Sequence, residues 1–395
     1  MASRGRKRRG RKKETRSREG SLLVFAILFG ALMVLAFRSY LSGLPSTVSI
    51  PPYEEISSSS SQLAGEIRRI NRALYDSLYQ ERIPAKHIFF MGVKPKHEET
   101  NDWDFTEVLV KLSKKDSLLH VKRSLKATLG PLGPAVSTRV EKPSEIELIY
   151  HIFALGFYTH KITLSLKSAQ SMSAGEPPKV AIIIDDLGPD NDIAEGFVRL
   201  DIPISMSVLP LTPYSRQIAE QAAKKGYDLL LHLPMEPKGY PEIHPGPGVL
   251  LTEMGEDEIR KTLDENLQSV PGVRGVNNHM GSRFTEREDK MAVLLTELKR
   301  RGLFYVDSRT TSETVAFDVA KRVGVPAVKR SVFLDNDLSP RAMKFQVERL
   351  LGMAKHSGSA VGIGHPHEET LMVLKNFLPK LRTEFRVVPV SDLIG

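Results

Sequence analysis

The sequence predicts an α/β chain: a barrel of parallel strands over residues 179–395, preceded by a membrane helix and a small α+β region. Three observations predict the barrel. Eight apolar runs recur in the C-terminal half: Val180–Ile184, Pro203–Leu209, Asp228–Leu231, Val273–Val276, Leu303–Val306, Ala327–Leu334, Ala360–Ile363 and Phe385–Val390. Helical segments alternate with them, which calls for a parallel sheet covered by helices. Nearly every run is followed by a side chain able to do chemistry. In a barrel of parallel strands those strand ends open on one face, where sites are built.

Charge and hydropathy divide the residues before the barrel. Residues 1–20 hold ten Lys or Arg between Arg4 and Arg18 against Glu14 and Glu19. That tail therefore carries most of the formal +9 of the chain. The folded part is nearly neutral, which argues against nucleic-acid binding in spite of the basic balance. Residues 21–41 begin with the uncharged run Ser21–Phe37, about 25 Å long as a helix. Snorkelling of Arg38 extends it towards a full crossing. The basic flank favours a cytoplasmic N-terminus, with the bulk of the chain periplasmic or otherwise extracytoplasmic. The expectation is a single-pass anchor in the inner (cytoplasmic) membrane; a cleaved secretory signal is the competing reading. The chain has no cysteine, so any metal must be held by His, Asp or Glu.

Residues 42–61, with Pro51-Pro52 and Ser57–Ser61, have linker composition. Residues 62–166 read as a small α+β accessory domain. Leu63, Ile67, Ile70, Leu74 and Leu78 give Gln62–Tyr79 a helical stripe. Phe105–Leu112, Ala135–Val140, Glu145–Ile152 and Lys161–Leu166 read as strands, and Leu118–Leu129 as a second helix. The histidines here are scattered and suggest no site. Residues 167–178 form a second linker ending in Pro177-Pro178.

Within the barrel region, Glu256–Val270 and Glu286–Arg301 have helical periodicity. Thr212-Pro213 and Ser339-Pro340 place a capping residue before a proline at a helix start. Gly226, Gly302, Gly324 and Gly358 follow helical runs, where a left-handed residue ends a helix.

The strand ends supply the candidate chemistry. Asp185-Asp186 close the first run; adjacent buried carboxylates repel unless a cation or proton separates them. One could bind metal while the other acts as a base, or the pair could simply cap a helix. His232 and Glu236 flank Leu233-Pro234-Met235 after the third run and could ligate one divalent ion. Asn277-Asn278-His279-Met280-Gly281-Ser282 follows the fourth run and offers a third ligand and hydrogen-bond donors. Asp307, Arg330 and Asp335 suit a supporting role around a ligating or catalytic histidine. His365, in Gly364-His365-Pro366-His367, stands where an acid is wanted.

These motifs resemble the polysaccharide deacetylase superfamily, most closely its divergent branch. That family carries an Asp-Asp pair after its first strand, a His-x-x-x-His-Pro motif and a Leu-x-His near its end. This chain reads Asp185-Asp186, His232-x-x-x-Glu236-Pro237 and Ile363-Gly364-His365. The resemblance implies a distorted (β/α) barrel of seven to eight units and a metal-dependent deacetylation of a carbohydrate. It implies Asp185 as base, Asp186 and His232 as metal ligands and His365 as acid. Two departures stand out. Glu236 replaces the second motif histidine, and Asn277–Ser282 occupies the region of the family's arginine-rich motif. His279 or Glu236 would complete the ligand set.

The expected function is therefore a zinc-dependent deacetylase acting on an acetylated cell-envelope glycan. Asn277 or Asn278 would help hold the oxyanion. The alternative is a membrane-tethered glycan-binding or scaffold protein whose barrel has lost hydrolysis.

Overall fold

The computed structural model describes residues 62–80, 83–84, 87–98, 101–166 and 176–394. The basic tail, the expected anchor at 21–41, the linker at 42–61 and residues 167–175 of the second linker lie outside the described residues. Among the described residues no helix is long and apolar enough to cross a membrane.

The N-terminal layer begins with α1, Gln62–Tyr75, whose Leu63, Ile70 and Leu74 are buried. A π-helical turn, Asp76–Gln80, continues it and buries Leu78. β1 (Ile88–Glu98), β2 (Asn101–Lys111), β3 (Val136–Ser144), β4 (Glu147–Ala154) and β5 (Phe157–Ser165) form one sheet in the order β1-β2-β5-β4-β3, with α2 at Lys115–Leu129. In β4 the buried residues Leu148, Tyr150, Ile152 and Ala154 alternate with more exposed ones, the pattern of a sheet wet on one face. β1 escapes sequence reading because its buried Ile88 and Phe90 are followed by Gly92, Pro95 and charged residues.

The C-terminal region builds a sheet from β6 (Lys179–Leu187), β7 (Ser205–Val208), β8 (Asp228–Met235), β9 (Gly275–Met280), β10 (Phe304–Asp307), β11 (Ala327–Lys329), β12 (Val332–Phe333), β13 (Ser359–Gly364) and β14 (Arg386–Val387). Every pairing is parallel, in the order β11-β10-β9-β8-β7-β6-β13-β12, with β14 beside β6. The helices between are α3 (Asn191–Val198), α4 (Ser215–Lys225), α5 (Glu256–Ser269), α6 (Glu288–Arg300), α7 (Ala316–Val323), α8 (Pro340–Ser357) and α9 (Glu368–Glu384). Pro340 opens α8 as expected, although Ser339 makes no side-chain cap. Gly324 closes α7 at φ +79°, a conformation that L side chains adopt with strain.

The sheet curls into a half-barrel but does not close by a ladder. The single run expected at Ala327–Leu334 splits into β11 and β12, which lie at opposite edges of the sheet. Arg330 and Ser331 bridge the gap: the Arg330 N–H donates to Asp307 O (3.0 Å) on one side and the Ser331 N–H to Val361 O (2.8 Å) on the other. The break leaves two pieces, three and two residues long.

Alternation along the strands sorts the core into two faces. Val180, Ile182 and Ile184 pack outward among residues of the covering helices, while Ala181 and Ile183 join Leu230, Phe304 and Ile363 inside the curl. Val390 lies in the inner cluster, and its N–H donates to Ser205 Oγ (3.0 Å) at the start of β7. The N-terminal end of the curl is thus filled by apolar side chains, and polar groups gather at the other end.

The N-terminal layer and the barrel share a core. Phe345 of α8 is fully buried in the cluster of the five-stranded layer, and its ring meets Phe90 edge-on at 5.4 Å. Gly352, one face of α8 further on, lets Phe90 approach; a Cβ there would lie 2.7 Å from its ring. Arg72 and Asp337 pair across the same joint. Truncation of Phe345 to Ala should cost about 3–5 kcal/mol. Denaturant unfolding followed by circular dichroism and by Trp103, the single tryptophan, checks this. Both signals should shift together; a shift in neither, or in only one, would show that the layers do not share this core.

Candidate metal centre

A bulge in β6 builds the site. Its register against β7 runs Ile183 to Ser205 and Ile184 to Met206, then jumps to Leu187 opposite Val208. Successive side chains of a regular strand point to opposite faces. Here Asp186 adopts φ +55°, a left-handed conformation that costs a non-glycine residue about 1–2 kcal/mol. The kink turns both adjacent carboxylates into the mouth of the curl. Both are buried, at 1% and 4% exposure. Strain of this kind persists where surrounding groups over-determine it.

His232 on β8 and His279 on β9 face the same point. Asp186 Oδ1 lies 3.0 Å from His232 Nε2 and 3.0 Å from His279 Nδ1, and the two nitrogens are 3.1 Å apart. The three ligand atoms belong to fully buried side chains. Although two nitrogens stand at hydrogen-bond distance, Asp186 Oδ1 has no hydrogen bond of acceptable geometry. An oxygen and two nitrogens converging on a common point, with one atom orphaned, is the arrangement a cation completes. Tetrahedral zinc, with ligands at about 2.0–2.2 Å, separates them by about 3.3 Å. The residues present fit a divalent ion.

Asn277, inward-facing on β9, organises the groups around this triangle. Its Nδ2 donates to both oxygens of Asp185, at 2.8 and 3.0 Å. Its Oδ1 accepts from Ser207 Oγ at 2.7 Å and lies 3.1 Å from His232 Nδ1. An amide oxygen can only accept, so His232 carries its proton on Nδ1 and presents the Nε2 lone pair to the triangle. Burial alone would raise the Asp186 carboxyl, but His279 and His232 outweigh it and hold it well below the usual range. Burial would lower His232; Asp185, Asp186 and Asn277 together raise it instead. The site thus stabilises positive charge beside its carboxylates.

His365 stands at the end of β13 as a second centre. Asp335 accepts from its backbone N–H (2.6 Å) and meets its Nδ1 at 2.8 Å, while Thr370 Oγ1 donates to the same carboxylate at 2.6 Å. Burial pulls the imidazole down, yet Asp335, with help from Asp186 and Asp185, pushes it up to about 9. His365 is therefore an imidazolium at neutral pH and shares an electrostatic environment with the Asp pair.

The remaining sequence candidates lie elsewhere. Glu236 is not part of the triangle: Arg283 Nη1 (2.8 Å) and Thr252 engage its carboxylate and hold it below its ordinary range against the effect of burial. Asn278 faces the other side of β9. Its Oδ1 accepts from Tyr305 Oη (3.0 Å) and the Ser308 N–H (2.9 Å), which ties β9 to β10 away from the mouth. Asp307 also faces outward, accepting from the Arg309 N–H and Thr314, and burial raises its carboxyl. Ser282 Oγ accepts from the Lys238 N–H (3.0 Å), bracing the loops after β8 and β9. Arg330 lies over the Phe333 ring at 3.6 Å, and His365 approaches that ring at 5.9 Å. Asp335, by contrast, meets a site histidine directly, His365.

Two contributors were not read from sequence. Ser207 fixes Asn277, and Thr370 fixes Asp335. The signal for Ser207 was present: Ser205 and Ser207 alternate with Met206 and Val208 in a fully buried strand, so a polar stripe inside the curl was legible. Thr370 lies in the first turn of α9 and carries no pattern of its own.

Metal binding tests the triangle. His232→Ala or His279→Ala should abolish stoichiometric binding of a divalent ion. Asn277→Leu should weaken it about 10- to 100-fold through loss of the His232 tautomer, and Glu236→Gln should leave it unchanged. Chelator competition on the purified chain reads all four variants; an Asn277→Leu protein that binds as tightly as wild type would remove Asn277 from the account.

Comparison with known proteins gives the family. A family model described as divergent polysaccharide deacetylase matches residues 182–394. The uncharacterized protein YibQ of Escherichia coli is 35% identical over 219 residues, covering 55% of this chain and 67% of that protein. An uncharacterized protein of Haemophilus influenzae is 32% identical over 242 residues, covering 61% and 81% respectively. The crystal structure of an uncharacterized Agrobacterium tumefaciens protein superposes with a TM-score of 0.53 at 23% identity, over 57% of this chain and 93% of that one, and shares the fold. The chain belongs to the divergent polysaccharide deacetylase family.

Proposed function

We propose that this protein is a metal-dependent hydrolase that removes acetyl groups from an acetylated polysaccharide of the cell envelope. One observation carries the reading: Asp186, His232 and His279 converge on a point, with Asp185 bound to their scaffold and a protonated His365 in the same field. That is a ligand set, a base and an acid, the three parts that deacetylation by water requires. Zinc is the ion we assign, from a set of two imidazoles and one carboxylate with no thiolate.

A divalent ion held by Asp186, His232 and His279 supplies positive charge that polarises the acetyl carbonyl and eases deprotonation of water. Asp185, oriented through both oxygens by Asn277, accepts the proton of the water as its oxygen bonds to the carbonyl carbon. His365 then gives its Nε2 proton to the departing amine or alkoxide as the bond to the acetyl carbon breaks. The products are acetate and a free amine or hydroxyl. Asp335 holds His365 by Nδ1, so Nε2 is the nitrogen assigned to the reaction. The two donors of each amide already have acceptors, both Asp185 oxygens for Asn277 and Met280 O with Thr310 Oγ1 for Asn278, so neither is assigned to an oxyanion. Asn277 therefore acts as a positioning residue in this reading.

The basic tail and the apolar segment at 21–41 support an inner-membrane tether with the barrel on the outer side. An envelope glycan is the substrate class such a location offers. The reading of the barrel as an inactive glycan-binding scaffold is disfavoured because the base, the acid and the ligand set are all present.

Acetate release from an N-acetylated glycan oligomer by the zinc-loaded full chain is the direct test. Asp185→Asn or His365→Ala should lower the rate about 10²- to 10⁴-fold with metal still bound. Glycan binding at full zinc occupancy without acetate release would favour the scaffold instead. The pH profile gives a second check. An acid whose pKa is raised to about 9 is protonated at neutral pH, and activity falls as pH rises through that value. Asp335→Asn removes the largest raising cause, so the alkaline limb should move towards the ordinary histidine range; an unmoved limb would deny His365 the role of acid.

A further inference from the structure

A cavity of about 140 Å³ lies between the N-terminal layer and the barrel. That is about tenfold the 10–15 Å³ a single water needs. Its lining includes Arg68, Arg309, Arg330 and Arg349 against only two acidic residues, Asp102 and Asp104. Asp102 is already engaged by Ser312 and by His97 Nδ1 (3.1 Å). Asp104 stands 3.8 Å from Arg330 Nη1.

Arg349, on α8, is the telling residue. It is 5% exposed, and among the described residues its Nε and Nη2 have no hydrogen-bond partner. Its Nη1 makes one long contact, 3.3 Å, with Gln346 Oε1. A buried guanidinium with unpaired donors is costly, because the lost hydration is not replaced. Burial pulls it down to about 10, and the Arg330 and Arg309 charges act in the same direction against Asp104. His160, buried behind it on Asn71, is driven to about 3 by burial and by the Arg349 charge, so no second cation forms there. Among the described residues no carboxylate hydrogen-bonds the Arg349 guanidinium.

Its neighbours are held ready. Arg330 Nε donates to Ser308 O (2.7 Å) and Nη2 to Arg309 O (2.9 Å), while the guanidinium carbon stands 3.6 Å over the centre of the Phe333 ring. Arg309 adopts φ +53°, a left-handed backbone in a non-glycine residue at the cavity wall. Trp103 contributes an aromatic surface to the same lining. Guanidinium forks match the paired oxygens of carboxylates and phosphates.

We propose that this cavity is a binding site for an oxyanion, a carboxylate or phosphate group carried on a small molecule or a sugar, with Arg349 as its buried anchor. The site needs both layers, since α1 and β2 supply one wall and the barrel supplies Arg309, Arg330 and Arg349. It gives the N-terminal layer a recognition role and does not depend on hydrolysis at the metal centre.

Thermal unfolding of the full chain with sodium glucuronate, sodium acetate and sodium phosphate tests it, with glucose and matched sodium chloride as controls. Ligands that bind only the native state raise the melting temperature in proportion to occupancy. At least one oxyanion should raise it beyond the chloride control, and the apparent Kd should weaken at least about tenfold in Arg349→Met. Asp104→Asn, which removes a competing carboxylate, should tighten binding. Glucuronate exceeding acetate marks a sugar-borne carboxylate as the ligand, and phosphate exceeding both marks a phosphate group. If Arg349→Met does not fold, Arg309→Gln should still weaken the shift. No shift beyond chloride in wild type, or an equal shift in the folded Arg349 and Arg309 variants, overturns the proposal.

Discussion

The structure turns on one constraint: two adjacent carboxylates are buried at the end of a strand, within reach of two imidazoles. Water cannot relieve that repulsion, and the left-handed backbone at Asp186 adds its own cost. The arrangement persists only if positive charge occupies the space between Asp186, His232 and His279. Positive charge on His232 is one source, favoured by Asp185 and Asp186, which raise that imidazole against the effect of burial. A divalent ion supplies it better, because the three atoms then bond to a single centre.

From that constraint the rest of the mouth follows. Asn277 couples the halves of the site: one end of its amide fixes the His232 tautomer, the other fixes Asp185. Asp335 performs the matching task for His365 from the opposite side of the sheet. Asn277 acts from within β9, while Asp335 and His365 hold one another just beyond the ends of β12 and β13. The apolar plug below, from Ala181 to Val390, keeps water out of the base of the site and stiffens the strands that carry it.

Much of this was legible in sequence. Apolar runs ending in Asp, His or Asn marked the strands, and a parallel barrel placed those ends together, so Asp185, Asp186, His232, His279 and His365 could be named before any coordinates. The choice between His279 and Glu236 could not be made that way. It depends on which side of the β8–β9 pair each residue faces, and on Arg283 and Thr252, which engage Glu236. Asn278 and Asp307 were grouped with the site because they follow strands, yet period-two alternation sends both to the helix side. The split of Ala327–Leu334 was equally hidden, since Arg330-Ser331 is an edge-to-edge crossing set by backbone hydrogen bonds to Asp307 and Val361. The packing of residues 62–166 on α8 left no trace in composition; Phe345 and Gly352 look like ordinary helix residues until Phe90 is placed between them.

The central claim is that a single divalent ion sits among Asp186 Oδ1, His232 Nε2 and His279 Nδ1. Anomalous diffraction at the zinc edge, from crystals of the protein grown with zinc, measures it most directly. The account predicts one strong peak about 2.0–2.2 Å from all three atoms, with Glu236 still bound to Arg283. A peak elsewhere, or none at that point with zinc in excess, would contradict it.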